Sequence, residues 1–135
     1  MQEIAINWIA LIVAVIVKQA IGALWFSPFA FGPAWCALAG VSEAEMRARL
    51  PRVLPIEFVA TIVMAFVLVH AIRYAGADGF LLGGVVGFLN WLGFVAASRL
   101  NDVLYEKRPL NLFAIDVGYW LVGLVAMGAI LGGWR

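Results

Sequence analysis

Four ionisable side chains stand inside otherwise apolar stretches of this sequence: Lys18, Glu57, Arg99 and Asp116. Charges in such surroundings are expensive, and they mark candidate sites for holding or moving a solute, an ion or a proton. Two are basic and two acidic. Facing inward, Lys18 and Arg99 can pair with Glu57 and Asp116 and so avoid an unpaired buried charge. Tyr119 and Asn101, with Gln19 and Asp102, lie close enough in depth to join them. Tyr119 stands three residues after Asp116 and so shares its helix face, from which it can hydrogen-bond Glu57 or Asp116. The same residues also admit a structural role, because polar side chains fix helix register and long basic ones snorkel to the interface.

A second polar group, Asn7, His70 and Asn90, falls toward the other end of the same stretches, with Trp91 adjacent. His70 is the sole histidine and Cys36 the sole cysteine. Neither a two-histidine metal site nor an internal disulfide can be built from one chain, and no metal or cofactor is expected. Cys36 reads as an inert small residue. The sequence contains no HExxH, G-x-S-x-G, phosphate-binding loop or dinucleotide glycine fingerprint, so nothing points to an enzyme.

The elements that must position these groups follow from composition. Of 135 residues, 65% are hydrophobic and only 13% charged, with a mean hydropathy of +1.01. Soluble domains carry about 25% charged residues, so a bilayer is the solvent that fits. The net charge of +1 gives no basic face for nucleic acid. Four apolar runs predict transmembrane helices over about 4–26, 54–74, 80–100 and 112–134 in a single domain. The fold class is an all-α integral membrane four-helix bundle. The first run lacks a basic n-region, since Glu3 is the only charge before it, and is expected to be a span rather than a leader.

Between the first two spans, FSPFAFGPAW suits a chain turning along the headgroup layer. Ser42 and Glu45 then have capping-box spacing and predict a short interfacial helix that Pro51 ends. Gly76 to Gly79 is a tight turn. Depth places the charges: Lys18 lies about 14 residues into its span, roughly 21 Å at 1.5 Å per residue. Glu57, Arg99 and Asp116 sit near that same end of theirs. Arg47, Arg49, Arg52, Arg99, Lys107 and Arg108 share one side, against Arg73 and Arg135 on the other. The positive-inside rule puts that side in the cytoplasm and both termini outside. Trp8 and Trp134 suit the outer interface, Trp25 and Trp35 the inner one, while Trp91 and Trp120 fall deeper.

Gly79, Gly83 and Gly87 recur every four residues, and Gly128 and Gly132 repeat that spacing. Such faces let helices approach closely in lipid, either inside the bundle or across a homodimer seam.

GALWFSPFAFGPAW after the first span, GFLNWLGF in the third and LYEKRPLNLFAIDVGYWLV into the fourth resemble the bacterial domain-of-unknown-function 1761 family over nearly the whole chain. The resemblance implies a small multi-span membrane protein of the bacterial inner membrane. It implies no substrate or catalytic residue. The residues themselves favour solute or ion transport or binding through the charged cluster, in a dimer within the bilayer. The other reading is a structural or accessory subunit docked on a larger membrane protein.

Overall fold

The computed structural model describes residues 4–135, which are 81% helical with no strand among the described residues. Five helices follow one another: α1 (Trp8–Trp25), α2 (Gly32–Ala39), α3 (Glu43–Tyr74), α4 (Phe80–Leu104) and α5 (Leu110–Gly133). All but α2 are long and apolar enough to cross a membrane. Many large apolar side chains are exposed along them, as expected where the surroundings are lipid. The architecture is that of a four-span integral membrane bundle with one short extra helix.

Local chemistry sets the boundaries. Helix α1 begins at Trp8 rather than at the start of the apolar run because Asn7 caps it, its Oδ1 accepting from the Ala10 amide at 3.1 Å. The short helix lies in the aromatic stretch, not after Ser42. Pro33 occupies its first turn, where a missing N–H is harmless, and Gly40 closes it at a φ of +72°. Ser42 does cap a helix, through the Glu45 amide at 3.1 Å, but the helix is α3, which runs 32 residues to Tyr74. Pro51 therefore does not end a helix. It and Pro55 both lie inside α3, on an exposed face four residues apart.

Helix α4 extends past the expected end to Leu104, and widens into π-type turns over Trp91–Ala96. The α3–α4 turn is held to the end of α5: the Gly79 amide donates to the Gly132 carbonyl at 3.1 Å, and Arg135 pairs with Asp78 at 3.2 Å.

Helix α5 is the axis of the bundle and packs against every other helix. Its tightest seam is with α4. A methyl group on Gly83 would collide with the Gly128 backbone and lie 2.9 Å from the Gly132 Cα, and one on Gly87 would strike the Leu124 carbonyl. The two glycine faces meet each other inside one chain, so neither is free to form a seam between copies. The core gathers around Leu11, Ala14 and Val15 of α1, Ala65, Leu68, Val69 and Ile72 of α3, and Leu124, Met127 and Leu131 of α5.

Candidate functional site

Lys18 is fully buried at 0% exposure, an expensive position for an ammonium. Its surroundings explain how it is tolerated. The Nζ lies 3.4 Å from Glu57 Oε1 and donates to the Thr61 hydroxyl at 3.2 Å. It also faces the rings of Trp120 and Tyr119, at 4.2 and 5.0 Å from their centroids, distances at which ring quadrupoles attract a cation. Thr61 stands one turn beyond Glu57, donates to the Glu57 carbonyl at 2.9 Å and accepts from Gln19 at 3.0 Å. Tyr119 directs its hydroxyl at Glu57 Oε1, 3.5 Å away.

Three glycines make room for this arrangement. A methyl on Gly123 would lie 3.2 Å from Lys18 Cγ, one on Gly22 would lie 2.9 Å from the Tyr119 hydroxyl, and one on Gly118 would lie 3.1 Å from the Trp25 ring. Small residues on α1 and α5 thus act as sockets for the large polar ones.

A second ion pair flanks the first. Arg99 Nη2 lies 3.6 Å from Asp116 Oδ2, and its Nε lies 3.6 Å from Asp102 Oδ2. Asp116 Oδ1 accepts from the Trp35 indole at 2.9 Å, which brings α2 onto α5. Two further indoles donate beside it: Trp25 to the Ile115 carbonyl at 3.1 Å and Trp91 to the Val117 carbonyl at 2.7 Å. Three tryptophans from three helices hold three consecutive residues of α5.

Both pairs border one cavity of about 590 Å³ at the end of the bundle that carries the charged loops. That volume falls within the range of small-molecule sites. Glu57, Asp116 and Tyr119 line it, with Phe26, Trp35, Met46, Leu50, Val53 and Leu54 supplying apolar wall. The Glu57 side chain is 35% exposed and that of Asp116 17%. Lys18 and Arg99 stand behind the carboxylates and are not part of the lining.

The remaining sequence candidates are placed elsewhere. Asn101 is exposed in the last turns of α4 and makes no side-chain hydrogen bond among the described residues. Asn7, His70 and Asn90 do not form a polar group. Asn7 caps α1, His70 Nδ1 meets its own helix at the Phe66 carbonyl at 2.7 Å, and Asn90 donates to the Val86 carbonyl at 2.8 Å. His70 instead belongs to an aromatic row of Trp8, Phe66, His70 and Tyr74. No group of three metal-ligating side chains occurs among the described residues. Thr61, Trp35 and Trp120 were not anticipated as parts of the site.

Fold and site together define a four-span bundle in which a buried ammonium pairs with a carboxylate on the wall of a cavity at one end. The chain belongs to the family described as protein of unknown function DUF1761, whose model matches residues 9–132. No curated protein matches it. No solved structure matches it either.

Proposed function

We propose that this protein binds a small solute within the membrane and serves its transport, with Glu57, Asp116 and Tyr119 as the contacting groups. The observation that carries this reading is their joint presence on the wall of a cavity of about 590 Å³. Lys18 and Arg99 hold the two carboxylates from behind, and Thr61 and Trp35 fix their orientation. Beneath the cavity the chain is closed by the buried core around Leu11, Val15 and Leu68. Passage across the bilayer would therefore require that core to open. In this reading the cavity mouth faces the cytoplasm of a bacterial cell and both termini lie outside, an orientation that the positive-inside rule supports through the basic loops.

The accessory-subunit reading asks for a sealed cluster, and the exposure of Glu57 favours the solute reading over it. A homodimer must form on a surface other than the α4–α5 glycine seam, which is spent inside the protomer.

Native mass spectrometry of gently extracted protein tests this. A bound small molecule is expected on the wild type and is expected to be lost from Glu57→Gln and Asp116→Asn. An empty cavity with another membrane protein bound stoichiometrically overturns solute binding in favour of the accessory role.

A further inference from the structure

Resting on that reading, we infer that the solute is an organic ammonium ion with an apolar body, held by Glu57 and Asp116 against the aromatic wall of Phe26, Trp35 and Tyr119.

The first argument is which hydrogen-bonding groups remain unspent. Around the cavity floor most of the uncharged donors are committed to the protein itself, the second N–H of the Gln19 amide being the exception. The Trp35 indole serves Asp116, the Gln19 amide serves Thr61, the Tyr119 hydroxyl points at Glu57, and the Ser27 hydroxyl donates to the Leu24 carbonyl. What remains is mostly acceptor capacity. Lys18 and Tyr119 both approach Oε1 of Glu57, and Oε2 receives no hydrogen bond from the described residues. A carboxylate has about four lone-pair sites, so Glu57 can accept more. A ligand that fits this floor brings donors.

Charge points the same way. The lining carries three carboxylates, of Glu43, Glu57 and Asp116, against one guanidinium, that of Arg47. The countercharges behind the floor are loosely engaged. Lys18–Glu57 is 3.4 Å and Arg99–Asp116 is 3.6 Å, whereas a close charge-assisted contact is about 2.8 Å. Neither pair saturates its carboxylate.

The third argument is the wall. Phe26 packs edge-on against both Trp35 and Tyr119, with centroids 6.0 and 5.3 Å apart, and all three rings line the cavity. Contiguous ring faces beside carboxylates are the recurring means of holding ammonium groups. The chain already uses that chemistry one layer deeper, where the Lys18 ammonium sits among Glu57, Thr61 and the rings of Tyr119 and Trp120. Glu57 and Tyr119 belong to both layers. Met46, Leu50, Val53 and Leu54 leave apolar space for the rest of the ligand.

The test is calorimetry on the full chain in nanodiscs of zwitterionic lipid, with empty nanodiscs as the blank, using 2-phenylethylammonium, 2-phenylethanol and 3-phenylpropanoate. The ammonium ion is expected to bind saturably and at least tenfold more tightly than the alcohol or the carboxylate. Glu57→Gln is expected to weaken it at least tenfold. Because that variant strands Lys18, Leu54→Trp, which fills the cavity from an exposed wall position, provides an independent check and is expected to abolish binding. Equal or tighter binding of the alcohol or the carboxylate overturns the ammonium class while leaving cavity binding intact. Ammonium binding that survives Leu54→Trp overturns the location. Failure of all three probes overturns the inference, and only an empty wild-type protein in native mass spectrometry removes solute binding with it.

Discussion

Lys18 and Glu57 face each other across 3.4 Å from α1 and α3 in unlike surroundings: Lys18 is wholly buried, whereas the Glu57 side chain is 35% exposed on the cavity wall. The pair is asymmetric, and its two halves should respond differently to substitution.

Glu57→Gln leaves an ammonium sealed in the bundle without a counter-ion, a defect that costs about 3–5 kcal/mol in buried pairs. Lys18→Met leaves a carboxylate that still reaches the cavity, so its loss is expected to be smaller. The double variant is expected to recover much of the Glu57→Gln loss. A double-mutant cycle on unfolding in detergent checks this, and equal losses from the two single variants would count against it.

The α4–α5 seam gives a sharper contrast. Gly83→Leu has no space to enter, since even a methyl there overlaps Gly128. It should destabilise by ~3 kcal/mol or more, beyond ordinary overpacking. Gly93→Ala on the same helix meets nothing within 4 Å and should be silent. Yield and melting temperature in mild detergent separate the two.

Gly22 and Tyr119 should be coupled. In Gly22→Ala the new methyl would lie 2.9 Å from the Tyr119 hydroxyl, which must then leave Glu57. Tyr119→Phe removes the crowding atom, so the double variant is expected to be more stable than Gly22→Ala alone. Additive losses would place the strain elsewhere.

Trp35→Phe keeps an aromatic ring against Phe26 and removes the N–H that serves Asp116. A hydrogen bond to a charged group contributes about 1.5–3 kcal/mol. The expected result is a loss of that order together with detachment of α2 from α5, read as faster amide exchange over Gly32–Ala39.

Much of this was legible in the sequence because charge in a span has few options. Depth put Lys18, Glu57, Arg99 and Asp116 at one level, and the structure assigns Lys18 to Glu57 and Arg99 to Asp116. Thr61 also had a signal that went unused: it stands four residues after Glu57, on the same helix face. Trp35 was legible only as an interfacial anchor at the charged end, since its partner lies 81 positions away and depends on how α2 folds back. Asn7, His70 and Asn90 misled for a common reason. Each can satisfy itself on its own helix backbone, so shared depth said nothing of shared contact. Asn101 has the right depth but an exposed position. Pro51 was misplaced because proline lowers the stability of a helix without forbidding it when the affected face is open.

Those prolines carry one more consequence. Pro51 and Pro55 cannot donate to the carbonyls of Arg47 and Pro51, so α3 has given up two successive rungs along one face. At 32 residues α3 is about 48 Å long, against a hydrocarbon thickness of roughly 30 Å. The weakened stretch lies beside Leu50, Val53 and Leu54, which form the cavity wall. A bend there would break fewer backbone hydrogen bonds than a bend elsewhere in α3, and it would move the cavity wall that Leu50, Val53 and Leu54 form.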